Sequence, residues 1–355
     1  MSNNLRKFPS IDQYKNVITN IRQYCKKHEQ PLPTLTFEGT IKLHGTNGGI
    51  GLNLATGELW AQSRERIITP YDDNAAFAKF VEANKEAWRV FLASVIESDA
   101  TKLDGATFAV ERLQTARVVI FGEWAGPSIQ KGVAISQIAS KSFFPFDIKV
   151  YIPGDDGEDV LVLSYDPMDF PMLTLIPDTY RIGSFQKHTL DIDFSRPQDF
   201  QNELVDLTLK VEENCPVAAE FGQSGVGEGI VWYNRETGLR FKVKGEKHSM
   251  SKVSTVKPIS EEDLARISTI KNFVDTVVTE NRLNQGLDKL REMGKPLTVQ
   301  STGDFIKWVV GDVLKEEMDL IVASMLDKKE LNPAMSNKAK DFYFAFLNSQ
   351  DSLAA

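Results

Sequence analysis

The residues with the clearest chemical use are a lysine and the turn that follows it. Lys42 closes an apolar stretch and leads into Leu43-His44-Gly45-Thr46-Asn47. A glycine three residues past the lysine lets the backbone turn close to a ligand. The chemistry that would use this is attack by the lysine amine on an α-phosphate. Taken alone, Lys-x-x-Gly is most often an exposed lysine before a turn. A second signal is Leu239-Arg240-Phe241-Lys242-Val243-Lys244. Side chains alternate along a strand, so Arg240, Lys242 and Lys244 share one face. That face suits a polyphosphate and would depress the pKa of a neighbouring lysine by like-charge repulsion. It also fits an ordinary amphipathic surface strand. Third, Glu123 and Glu228 each end or open an apolar strand beside a glycine. A carboxylate so placed can take Mg²⁺, which prefers oxygen ligands, or a ribose hydroxyl; an edge glutamate at a turn looks the same. Fourth, Phe143-Phe144-Pro145-Phe146-Asp147 offers an aromatic to stack on a base, although core packing is the usual fate of such rings.

These groups need a scaffold to hold them, and 355 residues allow one large domain or two ordinary ones. A hydrophobic content of 42% with 25% charged residues is that of a globular chain with ample core. No apolar run approaches the ~20 residues needed to span a membrane. The start, MSNNLRKFPSIDQYK, has no apolar signal core, so no secretion is expected. Cys25 and Cys215 stand far apart without metal-ligand spacing, which fits a reducing compartment, and with four histidines a structural zinc site is not expected. The net charge of −8 counts against a general nucleic-acid coat protein. It leaves room for a local basic groove. Between Arg240 and Lys257 stand Lys242, Lys244, Lys247 and Lys252, against a single acid, Glu246.

Periodicity then places the elements. A helix is expected over Asp12–Lys27, with Tyr14, Val17, Ile18, Ile21 and Cys25 inward and Ser10 as N-cap. Thr34–Leu43 reads as a strand. Ile50–Leu54 and Leu59–Ser63 read as a hairpin around Ala55-Thr56-Gly57. A helix over Asn74–Glu97 would bury Phe77, Phe80, Val81, Trp88, Phe91 and Val95. Strands follow at Thr107–Leu113, Arg117–Trp124, Phe143–Ile152, Val160–Tyr165, Gly229–Tyr233 and Leu239–Lys244. Pro167–Asn214 is irregular apart from a helix over Pro197–Val211. Beyond Val256 the pattern is wholly helical. It opens on a variant capping box at Ser260–Asp263 and runs through Leu264, Ile267, Ile270, Phe273, Val274, Val277, Leu283, Leu287 and Leu290 to a stop at Gly294. Further helices are marked by Phe305–Leu314 and Ala339–Leu347. The chain therefore reads as α+β: a mixed domain over 1–256 and an all-α C-terminal domain over 257–355.

Each chemical signal is weak, but their order resembles the nucleotidyltransferase motifs of the covalent ligase and capping-enzyme superfamily. The resemblance is closest to the RNA ligase 2 family, with its T-even phage and kinetoplastid editing members. Lys42-Leu-His-Gly-Thr-Asn47 is similar to the family's nucleophile motif, and Phe121-Gly-Glu-Trp-Ala-Gly-Pro-Ser-Ile-Gln-Lys131 to a highly specific eleven-residue segment. Phe144–Ile148, Glu228–Val231 and Lys242–Lys244 match three later motifs. Val278-Thr-Glu-Asn-Arg-Leu-Asn284 resembles a helix of the phage member's C-terminal domain.

The resemblance implies a ligase-type adenylyltransferase domain (ATP-grasp-like) of antiparallel sheets with flanking helices. It also implies roles. Lys42 would carry AMP. Glu123 would bind the ribose and Phe146 would stack on adenine. Glu228 would hold the metal, while Lys242 and Lys244 contact the α-phosphate. Arg64, in Gln62-Ser63-Arg64, would touch the nucleotide or the RNA end, and Asn47 would order metal and phosphates. The family commonly has Glu just before the nucleophile, where Ile41 stands here, so that role would pass to a backbone carbonyl or Glu38. The implied activity is ATP-dependent RNA ligation with Mg²⁺ or Mn²⁺. A 3′-hydroxyl and a 5′-phosphate would be joined through a lysyl-AMP and an adenylylated 5′ end, sealing nicks in duplex RNA. Asn281, Arg282 and Asn284 would help hold that duplex. The expected setting is a cytoplasmic monomer without membrane contact, encoded by a phage or its bacterial host. A DNA ligase or capping guanylyltransferase usually appends a β-rich OB domain, which the helical region after Val256 disfavours. A non-catalytic RNA-end-binding protein with a ligase-like fold is disfavoured because every chemical position is filled.

Overall fold

The computed structural model describes residues 4–97, 113–154, 158–245 and 269–354. The chain forms two compact units, Met1–Ser195 with Leu207–Val243 and Arg196–Asp206 with Lys244–Ala355. The expected domain boundary at Val256, the capping box at 260–263, and the lysines at 247, 252 and 257 lie outside the described residues. So does the strand expected at 107–113, apart from Leu113.

The first unit is built on two sheets. One has the order β1-β11-β10-β2-β9, with β1 Asp12–Gln13, β2 Thr34–Lys42, β9 Lys187–Asp193, β10 Gly229–Tyr233 and β11 Arg240–Lys244. The other has the order β5-β4-β3-β6-β7-β8, with β3 Thr46–Asn53, β4 Glu58–Ser63, β5 Ile67–Ile68, β6 Arg117–Ala125, β7 Ser142–Pro153 and β8 Asp159–Tyr165. All the strand pairs of the second sheet are antiparallel, and in the first only β1–β11 is parallel among the pairs described. The expected hairpin forms with β3 and β4 in register from Gly48↔Ser63 to Asn53↔Glu58, and Gly57 supplies the left-handed turn at φ 67°.

Three expectations are corrected here. The first helix, α1, spans Tyr14–Lys27 and is capped at Gln13 rather than Ser10, because Asp12 and Gln13 pair with Phe241 and Lys242 instead of joining the helix. The helix expected over Asn74–Glu97 is two helices, α2 Phe77–Ala83 and α3 Lys85–Glu97, parted at Asn84. The Asp73 carboxylate accepts from the N–H groups of Ala78 and Lys79, so capping fixes the start of α2. The span Pro167–Asn214 contains β9, which pairs with β2 from Thr34↔Asp193 to Thr40↔Lys187.

Alternation decides which faces are buried. In β2, Phe37 and Ile41 point into the core while Glu38, Thr40 and Lys42 point the other way. Tyr14 of α1 meets Phe241 at 4.9 Å between ring centroids on that core face. In the second sheet Ile50, Val118, Ile120, Phe143, Ile148 and Val150 bury against Phe77, Trp88, Phe91 and Val95 of α2 and α3. Each large apolar side chain so buried contributes roughly 1.5–3 kcal/mol.

The second unit is helical. After α4 (Gln201–Glu213) and α5 (Pro216–Glu220) come α6 Ile270–Val277, α7 Glu280–Glu292, α8 Thr302–Glu316, α9 Met318–Ser324 and α10 Lys328–Ala354, the last five belonging to this unit. The single helix expected up to Gly294 is broken at Val278–Thr279, where the Thr279 hydroxyl accepts from Arg282 N–H and starts α7. Gly294 ends α7 at φ 67°, as expected. Phe273, Leu287, Phe305, Val309, Met335 and Tyr343 form the core. Arg282 is also buried, its guanidinium donating to Asp312 at 2.8 Å, to Glu317 at 2.9 Å and to the Val277 carbonyl. It holds helices together and cannot serve the nucleic-acid contact proposed for it from sequence. No helix among the described residues is long and apolar enough to cross a membrane.

Candidate active site

The candidate nucleophile stands at the crossing from one sheet to the other. Lys42 is the last residue of β2, and Thr46 opens β3 in the second sheet, with only Leu43-His44-Gly45 between them. Lys42 is paired with Gly229, and Glu228 lies one residue before that pair. The Lys42 Nζ donates to Glu228 Oε2 at 2.5 Å, and His44 Nδ1 lies 3.3 Å from the same oxygen. Glu228 is only 2% exposed, so this carboxylate acts across a dehydrated gap.

Gly45 is tied to the second sheet. Its N–H donates to Glu123 Oε1 at 2.9 Å, and its carbonyl accepts from Gln130 Nε2 at 3.3 Å. A Cβ at this position would sit 2.4 Å from the Trp124 carbonyl oxygen, so only glycine fits the approach. Glu123 is opposite Asn47 in the β3–β6 ladder and opposite Phe144 in the β6–β7 ladder. The three therefore form one row on one side of the sheet. Asn47 Oδ1 is buried and has no hydrogen-bond partner among the described residues, an acceptor left over within that set.

The aromatic assignment depends on a bulge. Phe121 pairs with Asp147 and Gly122 with Pro145, which leaves Phe146 as the extra residue of β7. Phe146 is half-buried and meets Phe8 edge-on at 4.9 Å. Phe144 is fully buried among Tyr180, Phe185 and Phe221. Of the two rings on this side of β7, Phe146 keeps an accessible edge.

The basic strand splits into two behaviours. Its burial alternates as expected, with Phe241 and Val243 buried and Arg240, Lys242 and Lys244 half-buried. Arg240 stacks on Tyr233 at 4.1 Å, and Tyr233 pairs with Glu38 of β2. This puts the first two basic residues on the side of their sheet that carries Lys42. Arg240 is committed elsewhere, donating to buried Asp147 at 2.9 Å and joining the two sheets. Burial pushes the Asp147 carboxyl up, against the pull of Arg240, Lys149 and Ser164, and burial pulls Lys149 down. Lys242 pairs with Gln13, and Lys244 ends the strand. Arg64 lies in the turn after β4, half-buried and without a partner among the described residues.

The structure thus brings Lys42 and His44 onto one oxygen of Glu228, and Glu123, Asn47 and Gly45 together where β3 begins beside the end of β6. Among the described residues it draws no direct bond from these to Arg64 or Phe146. His44 and Gln130 are the contacts that sequence reasoning assigned no role, although both lie inside the segments singled out for resemblance. Among the described residues no three His, Cys, Asp or Glu side chains gather to hold a metal by themselves.

A family model described as RNA ligase matches residues 35–244, a span containing every residue just described except Phe8 and Gln13. The chain belongs to the RNA ligase family. Among solved structures it is similar to an RNA ligase from Naegleria gruberi. A variant of that ligase with ATP and Mn matches at 13% identity, TM-score 0.41, over 70% of this chain and 58% of that one. The same ligase with pyrophosphate matches at 15% identity and TM-score 0.40 over the same shares. The chain spans 58% of the length of these structures.

Proposed function

We propose that this chain is an ATP-dependent RNA ligase that carries AMP on Lys42 and seals nicks in duplex RNA. The observation that carries the proposal is Lys42 Nζ at 2.5 Å from a buried Glu228, at a sheet-to-sheet crossing pinned by Glu123. A lysine so fixed is positioned for attack rather than left to sample solvent. Membership of the RNA ligase family supports the same reading.

In this reading the Lys42 amine attacks the α-phosphorus of ATP, a P–N bond forms, and the bond to pyrophosphate breaks. The AMP then passes to an RNA 5′-phosphate, freeing Lys42, and a 3′-hydroxyl attacks that end and expels AMP. Lys242 and Lys244 face the negative charge that develops at phosphorus. Glu123 holds the turn and is available to the ribose. Phe146 offers its accessible edge to adenine, and Arg64 reaches the nucleotide or the RNA end.

The donor set fits Mg²⁺ or Mn²⁺. Glu228 supplies a buried carboxylate and Asn47 an unpartnered amide oxygen. Such ions take oxygen ligands and retain water and phosphate oxygens, so a large protein cage is not required. When bound, the ion would neutralise phosphate charge. The test is incubation with α-labelled ATP and Mg²⁺, then denaturing electrophoresis. The wild-type chain should retain label, GTP should not substitute, and Lys42→Ala should lose the adduct while keeping its thermal melt. An adduct retained by Lys42→Ala would remove the lysine from this role.

A further inference from the structure

The segment Asn4–Gln13 crosses from one sheet to the other and is fixed at both ends. At the second sheet, Arg6 N–H donates to Gln62 Oε1 at 3.2 Å and Arg6 C=O accepts from Gln62 Nε2 at 2.5 Å. One buried glutamine thereby satisfies the main chain as a neighbouring strand would. Asn4 donates to Glu58 at 3.1 Å, and the Arg6 guanidinium pairs with Asp159. At the first sheet, Asp12 and Gln13 pair with Phe241 and Lys242. Midway lies Phe8, 6% exposed and remote in sequence from every motif quoted above.

Phe8 fills the space between four side chains. Its ring is 5.3 Å from that of Phe121 and meets Phe146 edge-on at 4.9 Å. The cations of Lys149 and Arg240 stand over it at 4.9 and 5.0 Å. Phe146 is the unpaired residue of a bulge, so the ladder does not fix its direction, and it packs on the cluster of Phe8, Trp60, Val119 and Phe121, with Phe8 meeting its ring edge-on. Arg240 is the residue that joins the sheets through Asp147. A ring wedged here bears on both the angle of Phe146 and the Arg240–Asp147 link between the sheets.

We infer that Phe8 is a positioning residue for the base end of the nucleotide site, acting by holding Phe146. The inference rests on the proposed adenylyltransferase function. It predicts an effect on adenine recognition and little on phosphate recognition, because Phe8 holds the ring of Phe146 and lies against Lys149 and Arg240, which the proposed reaction does not use.

The test is calorimetry on the full chain with Mg²⁺ and two probes. One is the α,β-methylene analogue of ATP, whose bridging carbon blocks transfer to Lys42. The other is inorganic tripolyphosphate. Phe8→Ala should weaken the analogue by about tenfold, the scale of one edge-to-face ring pair, and tripolyphosphate by less than about twofold. Phe8→Tyr, which keeps the ring, should restore the analogue to within about twofold. If the alanine variant does not keep a cooperative melt, Phe8→Leu retains the apolar volume and should show the same split at about threefold. Equal weakening of both probes, or of neither, overturns the inference while leaving the function intact. A wild-type chain that binds neither probe overturns the function, and the inference with it.

Discussion

Glu228 and Lys42 share a 2.5 Å hydrogen bond across two antiparallel strands, on a carboxylate oxygen that also faces His44. In the proposed reaction the amine must leave that oxygen before it attacks phosphorus, and the carboxylate would then turn to the metal. Glu228→Gln keeps the shape and removes the charge. Adenylylation of Lys42 at saturating ATP should slow by ~100-fold or more, the scale of one preorganised electrostatic group. A single-turnover rate within threefold of wild type, on a variant with an unchanged melt, would show that the carboxylate only packs.

Gly45→Ala should be far more damaging than its size suggests. The added methyl would meet the Trp124 carbonyl at 2.4 Å, and relief of that clash must move the turn away from Glu123. The expected result is loss of the covalent adduct with only partial loss of stability, about 1–3 kcal/mol by denaturant titration. Normal adduct formation would mean that the turn has slack the structure does not show.

The three basic residues of β11 should separate by assay. Lys242→Ala and Lys244→Ala should each slow adenylylation by at least ~100-fold and leave the melt nearly unchanged. Arg240→Ala strands the buried Asp147 carboxylate without its guanidinium partner and should cost about 3–5 kcal/mol of stability. Small and equal effects at all three positions would mark β11 as an ordinary solvated strand.

Arg282→Ala provides the matching test in the helical unit. It removes the partner of Glu317, whose side chain is fully buried, and about 3–5 kcal/mol should be lost from that unit. Loss of RNA affinity with an unchanged melt would instead return Arg282 to the duplex-binding role expected from sequence.

Asp275 gives a pH signature. Lys271 and Lys338 hydrogen-bond its exposed carboxyl at 2.6 and 2.9 Å and hold it down at about 2, against an ordinary value of 3.8. A depressed carboxyl contributes stability that is present above 3.8 and is lost as pH falls through about 2. Asp275→Asn should therefore flatten the acid limb of stability between these two values and leave neutral-pH behaviour nearly unchanged. The same acid limb in variant and wild type would deny the lysine pairs any role.

Most strands were legible because they alternate or carry apolar runs closed by turn residues. Lys42, Glu123 and Glu228 could be singled out for the same reason, each standing where an apolar stretch meets glycine. What stayed hidden has local causes. β9 has only Leu190 and Ile192 buried, and its polar remainder resembles a loop. The break at Thr279 is a choice between continuing a helix and capping a new one, and apolar spacing is blind to it. Arg282 looked like a surface contact because its partners, Asp312 and Glu317, come from elsewhere in the sequence. Arg240 looked like a phosphate ligand because its acid, Asp147, is 93 positions away. Long-range pairing of charges leaves no trace in spacing.

The bulge in β7 makes one residue separable from the sheet that carries it. Pro145 already pairs with Gly122 and Asp147 with Phe121, so excising Phe146 would join two halves that are in register with β6. Ile148 and Val150 would stay on the core side and Asp147 would still face Arg240. A chain shortened by this one residue should therefore fold, although deleting a residue from a regular strand would turn everything beyond it inside out. The ladder itself would thus be satisfied with one residue fewer in β7, and the extra residue is the ring that packs on Phe8.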